Sequence, residues 1–210
     1  MKSNTFSVGK MVRLAVLVAI LLIMGFTPLG YLKLNPVMTI TFNMIPVVVG
    51  AIILGPASGA ILGLVFGITS FSQALTGADA LGTLLLNQSA LSAILLFVMC
   101  IVPRVLAGWL PGLVFSPLDK RGVNRVLAVA LTALSGSVFN TVFFIAAFVG
   151  FFSTNELVTG AFGTTDVWII ITGLLTVNAL IEAVVCTVVG GAVGQALTHY
   201  LPVKKAAKEA

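Results

Sequence analysis

The chain of 210 residues is 59% hydrophobic and only 8% charged, with a mean hydropathy of +1.18. A soluble domain carries about 25% charged residues, so the composition reads as an integral membrane protein with no nucleic-acid partner. The formal charge of +5 then marks the side on which the loops lie. The length allows about six spans of roughly 20 residues, with no Gly-x-x-x-x-Gly-Lys-Ser/Thr phosphate loop.

A basic stretch, Met1–Lys10, and Arg13 lead into the apolar run Leu14–Phe26. Thr27, Pro28 and Gly30 end it where a signal peptide would carry a small-residue cleavage site, which predicts an uncleaved first helix over about 11–29. Tyr31–Asn43 reads as a polar, proline-containing loop with Thr39 and Thr41 in alternation. The next apolar segment, Met44–Leu54, is only about 16 Å long as a helix, so the second span is expected to borrow preceding residues and cover 37–54. Gly55-Pro56 predicts a tight connection, with Pro56 in a first helical turn and a third helix over 57–75. Here Gly55, Gly59, Gly63 and Gly67 recur every fourth residue, which places them on one helix face. In water each would weaken a helix by roughly 1 kcal/mol; in lipid they form a surface for close backbone approach.

A polar loop with Asp79, Asn87 and Gln88 precedes a fourth helix over about 90–114, kinked at Pro103 and Pro111. The charged loop 116–124 follows, then a fifth helix over 125–151 and a sixth over 167–198 with Gly190, Gly191 and Gly194 near its end. The expected fold is all-α: a single polytopic membrane domain, 1–210, of six transmembrane helices. One side would hold Lys2, Lys10, Arg13, Lys120, Arg121, Arg125, Lys204, Lys205 and Lys208, the other only Lys33 with Asp79, Glu156 and Asp166. The positive-inside rule puts both termini in the cytoplasm and turns the loops 27–43, 76–89 and 152–166 outward, where a substrate from outside would be caught.

Polar side chains inside apolar runs mark candidate sites. Arg104 and Glu182 each lie about 20 Å below the outer surface, with Asn140 at similar depth and Asn178 one turn above Glu182. A lone charge there is costly, so these groups should pair or face a polar cavity. Two readings stay open: an Arg104–Glu182 pair that knits the bundle, or a pocket floor that uses one or both. From the outward loops Thr39, Thr41, Asn43, Asn87 and Gln88 can bring hydrogen-bonding groups to the mouth of such a pocket. Cys100 and Cys186, in apolar runs, read as small buried hydrophobes, and Trp109 and Trp168 as interfacial anchors. An intramembrane enzyme is not indicated: His199 is the sole histidine and sits at a helix end, and His-Glu-x-x-His is absent. A small secondary transporter would show an internal repeat, and the halves of this chain do not.

Ala15 and Ala19 in the first helix, the segment IPVVVGAIILGP, the run GAILGLVFGITS and six helices in about 200 residues resemble the S component of energy-coupling factor (ECF) vitamin transporters. The resemblance covers nearly the whole chain, is strongest over 37–75, and is closest to pantothenate S components, although riboflavin, folate, pyridoxine and cobalamin types share much of it. It implies a subunit of a prokaryotic plasma-membrane importer, without a cofactor, that binds a vitamin on its outward side. It also implies docking onto a transmembrane T component coupled to two ATPases, with inward release as the subunit topples in the membrane. Ala15 and Ala19 match the docking motif, and Gly59, Gly63, Gly190 and Gly194, at similar depth, are read as extending that surface. The loop 33–43 matches the gate. For pantothenate, Arg104 would take the carboxylate and Asn140, Asn178 and Glu182 the hydroxyl and amide groups. A flavin or pterin would instead favour stacking on Phe71, Phe139 and Phe143.

Overall fold

Glycines without side chains let two helix backbones meet, and this contact runs through the middle of the protein. The computed structural model describes residues 8–33, 39–164, 166, 168–169, 171 and 178–200; for residues 32–33, 39–40, 81, 157, 161–162 and 178 the backbone alone is described. In chain order the elements are α1 (Val8–Phe26), β1 (Tyr31–Lys33), β2 (Thr39–Thr41), α2 (Met44–Leu54), α3 (Pro56–Leu75), α4 (Ala80–Gln88), α5 (Ala90–Lys120), α6 (Arg125–Phe152) and α7 (Glu156–Phe162). The last described helix is interrupted: α8 (Asn178–Val185), a π-turn at Cys186–Gly190, then α9 (Gly191–Tyr200).

Among the described residues, five helices are long and apolar enough to cross a membrane: Val8–Phe26, Pro56–Leu75, Ala90–Lys120, Arg125–Phe152 and Ala179–Tyr200. Met44–Leu54 is a shorter apolar helix, beginning seven residues later than the sequence suggests because Thr39–Thr41 is a strand. That strand pairs antiparallel with Tyr31–Lys33, Tyr31 facing Thr41 and Lys33 facing Thr39. The molecule is thus helical with one small hairpin. The loops expected at 76–89 and 152–166 contain α4 and α7, which were not anticipated. Helix α5 runs six residues past its expected end, because Pro117 is accommodated within it. Part of the sixth span expected over 167–198 lies outside the described residues.

Helix α2 is the hub. Val47, Val48, Val49 and Ile52 are essentially fully buried, packed among α1, α3, α5, α6 and the last helix. Its C-terminus turns into α3 through one residue, Gly55, at φ +91°. Only glycine takes that backbone conformation readily, so Gly55 belongs to the turn and drops out of the stripe. Pro56 then opens α3, where its missing N–H costs nothing. On α3, a Cβ added at Gly59 would meet the Gly108 carbonyl oxygen of α5 at 2.1 Å, one at Gly63 the Arg104 carbonyl oxygen at 2.2 Å, and one at Gly67 that of Cys100 at 2.7 Å. The steps of four on each helix run in opposite directions, the register of an antiparallel pair in close contact.

The stripe is therefore spent inside the bundle, which corrects the docking role expected of Gly59 and Gly63. Gly190 and Gly194 are likewise internal: a Cβ on Gly194 would meet Val129 and Ile52, and one on Gly190 would lie 3.9 Å from Ala133 and Ile45. Ala15 and Ala19 are exposed. They lie two residues off the buried Leu17 and Leu21, about 200° round the helix, so α1 turns its small residues away from the bundle.

The two ends of the bundle differ. The hairpin, α4 and α7 share one end, where Gln73 Nε2 of α3 donates to the Gly25 carbonyl of α1 at 2.8 Å and Thr83 Oγ1 of α4 to the Ala74 carbonyl of α3 at 2.7 Å. The opposite end carries Lys10, Arg13, Lys120, Arg121 and Arg125.

Candidate functional site

A cavity of about 170 Å³ opens toward the hairpin end. Its walls follow from helical periodicity: α3 supplies Phe66, Ser70 and Gln73; α5 supplies Leu96, Cys100 and Arg104; α6 supplies Asn140, Phe144 and Phe148. Tyr31 and Thr41 of the hairpin, Asp79 beside α4 and Glu182 of α8 complete it.

Arg104 owes its place to the residue before it. Pro103 has no N–H, so the Met99 carbonyl four residues earlier loses its helical donor. The Arg104 guanidinium fills the vacancy, Nη1 donating to that carbonyl at 2.9 Å. Nη2 reaches Ser70 Oγ at 3.4 Å, and Nε is buried with no hydrogen-bond partner. The guanidinium carbon sits 4.5 Å from the Phe144 ring centroid and 5.6 Å from that of Phe66, within cation–π range of both. Among the described residues, its hydrogen bonds and ring contacts are thus all with neutral groups.

Glu182, 9% exposed, is not ion-paired with Arg104. Its Oε1 accepts the backbone N–H of Thr41 at 2.7 Å. The knitting pair left open by the sequence is absent, and both charges face one cavity. Asn140 is buried at the wall, its Oδ1 without a partner. The Tyr31 hydroxyl lies 3.4 Å from Thr69 Oγ1, and burial raises this phenol above its ordinary pKa, keeping it a neutral hydrogen-bonding group.

The structure thus brings Arg104, Asn140, Glu182 and Thr41 around one space and separates the other candidates from it. Asn87 is exposed on α4 and donates to its own helix at Thr83. Gln88 is exposed and accepts from Asn155 Nδ2 at 2.7 Å. Both are surface groups that steady the α4–α7 end, which corrects their expected place at the pocket mouth. Asn43 is fully buried just before α2 and does not itself line the cavity, but it sits beside two residues that do, Tyr31 and Thr41, the latter accepting its N–H at 3.4 Å. Phe71 points away from the cavity and packs edge-to-face on Phe97, centroids 5.2 Å apart. Phe139 and Phe143 stack on each other at 5.9 Å, outside the lining. The side chains of Thr39 and Asn178 lie outside the described residues.

Sequence reasoning missed Tyr31, Ser70, Gln73 and Asp79. The signal for two of them was there: Phe66, Ser70 and Gln73 fall at steps of four and three on one face of a mostly apolar helix. Among the described residues no cluster of His, Cys, Asp and Glu could hold a metal ion.

The family model described as "ECF transporter, substrate-specific component" matches residues 9–190. A relative is the pantothenic acid transporter PanT of Lactococcus lactis subsp. cremoris (strain MG1363), 29% identical over 167 residues that cover 75% of this chain and 77% of PanT.

Proposed function

Since the chain belongs to the family of ECF transporter substrate-specific components, we propose that it captures pantothenate outside the cell and delivers it inward by docking on a transmembrane T component driven by two ATPases. In this reading the protein has six spans with both termini cytoplasmic, the hairpin end facing outward and the basic end facing the cytoplasm, in line with the positive-inside rule. The exposed Ala15 and Ala19 of α1 form the docking face, where small residues allow another helix to approach.

One observation carries the choice of ligand: the buried guanidinium of Arg104, the one cation in a cavity wall that also holds Asp79 and Glu182, makes its hydrogen bonds among the described residues only to neutral groups. Pantothenate offers one carboxylate, hydroxyls and an amide, and has no aromatic ring. The planar fork of Arg104 suits the carboxylate, with Asn140, Ser70 and Tyr31 within the same space for the neutral groups. The aromatics expected to stack a flavin or pterin, Phe71, Phe139 and Phe143, lie outside the lining, which holds Tyr31, Phe66, Phe144 and Phe148 instead, and of these Phe66 and Phe144 are engaged by the guanidinium. The name of the relative PanT adds support from sequence.

Calorimetry with pantothenate on the purified protein tests this. The parent binds, Arg104→Ala loses roughly 1.5–3 kcal/mol or more as a charge-assisted contact disappears, and Arg104→Lys recovers part of it without the bidentate geometry. Full-strength binding by Arg104→Ala, or binding only of a neutral aromatic vitamin, overturns the proposal.

A further inference from the structure

Among the described residues, one hydrogen bond crosses the seam between the hairpin and the last helix. Thr41 ends β2, opposite Tyr31 in the ladder, and its N–H is donated to Glu182 Oε1 of α8 at 2.7 Å. The two residues are 141 positions apart, and both line the cavity. A carboxylate accepting a backbone N–H at this distance belongs to the stronger, charge-assisted class of hydrogen bonds. The hairpin is otherwise held across the bundle by the longer Tyr31–Thr69 contact at 3.4 Å. The chain also aims Glu182 at this seam. The π-turn at Cys186–Gly190 inserts one residue into the helical repeat, turning the face of α8 by about 100° relative to α9. Cys186 Sγ fixes that turn by donating to the Ala133 carbonyl of α6.

We propose that Glu182 is a positioning residue rather than a ligand for the substrate: it clasps β2 to α8 and so shuts this side of the cavity. The proposal rests on the reading of the cavity as the substrate site. It divides the two buried charges by role, Arg104 facing the anion and Glu182 holding the wall that keeps the anion in.

A native reporter makes the test independent of any ligand. Cys100 lines the cavity and is 5% exposed. Peptide mapping separates its adduct from that of Cys186, the other cysteine, which is kept because it bonds the π-turn. The rate of Cys100 modification by a small charged methanethiosulfonate is followed by mass spectrometry on the purified protein. Glu182→Ala is expected to raise the rate about tenfold, through loss of one charge-assisted hydrogen bond. Thr41→Pro, which removes the donor, is expected to do the same, and the double variant to be no faster than either single one. Glu182→Gln keeps an acceptor oxygen and should stay within about threefold of the parent. Should Glu182→Ala not fold, Glu182→Asp takes its place, because a side chain one methylene shorter leaves the N–H unmet and accelerates labelling equally. Unchanged rates in the Ala or Asp variants, or multiplied effects in the double variant, overturn the clasp. A parent that does not bind pantothenate overturns the vitamin reading and leaves these rates as they are.

Discussion

Replacing Gly63 by alanine puts a methyl group where no space exists. The added Cβ would stand 2.2 Å from the Arg104 carbonyl oxygen, 2.8 Å from its carbon and 3.1 Å from Val105 Cα. An ordinary contact begins near 3.4 Å, so α5 must back away by about 1 Å, because a backbone carbonyl in mid-helix cannot rotate aside. Overpacking of this kind costs typically about 1–3 kcal/mol. A gap of 0.5–1 Å along the rest of the α3–α5 contact forfeits roughly a quarter to a half of each dispersion well. At about 2–4 °C per kcal/mol for a chain of this size, the melting midpoint of Gly63→Ala should fall by up to roughly 12 °C, the helix propensity gained by alanine (about 1 kcal/mol) offsetting part of the cost. Gly150 is the matched control. It lies in α6 with nothing within 4 Å of an added Cβ, so Gly150→Ala should leave the midpoint unchanged or raise it, by up to about 1 kcal/mol of helix propensity. Both variants are melted in the same detergent and titrated with pantothenate. Gly63→Ala should bind more weakly too, since the displaced carbonyl belongs to Arg104. A Gly63→Ala midpoint at or above the parent's would refute the close α3–α5 approach and return the stripe to an outer surface.

Ala15→Trp is expected to abolish uptake in cells while the purified subunit keeps its affinity and melting midpoint, because Ala15 is exposed on α1; loss of binding by the isolated protein would assign the alanine to internal packing. In a cysteine-free background, a cysteine at Asp79 or Glu156 should react with an impermeant reagent outside intact cells and one at Lys120 should not, and labelling at position 120 would invert the orientation.

Much of the architecture was legible because apolar runs and proline-glycine breaks report directly on spans and turns. The depth of Arg104, Asn140 and Glu182 could be counted from helix ends, and that depth is shared in the structure. What covers a helix face could not be read. The spacing of Gly59, Gly63 and Gly67 says that something approaches closely, yet an adjacent subunit and α5 would select the same residues. Asn87 and Gln88 misled for a related reason, since polarity near an expected loop is equally suited to a short surface helix and to a pocket mouth. The Thr41–Glu182 bond joins positions with no local relation in sequence, and no periodicity announces it. Pro103 beside Arg104 did carry information, because a proline that frees a carbonyl next to a donor-rich side chain creates its own partner.

The enclosure of α2 bears on how the chain is made. As a helix alone the 11 residues of α2 cover about 16 Å of a hydrocarbon core of about 30 Å, so its span has to draw on the residues before it, and four of the walls around Val47, Val48 and Ile52, namely α3, α5, α6 and the last helix, are translated after it. Newly synthesised α2 therefore enters the bilayer as one arm of a helical hairpin with α3, bent at Gly55-Pro56, and waits there. Its neighbours Val129 and Ala133 reach it only once α6 has left the ribosome. The centre of the molecule is the last region to be completed during biogenesis, and a chain truncated before α6 would present that unfinished centre to the membrane's quality-control proteases.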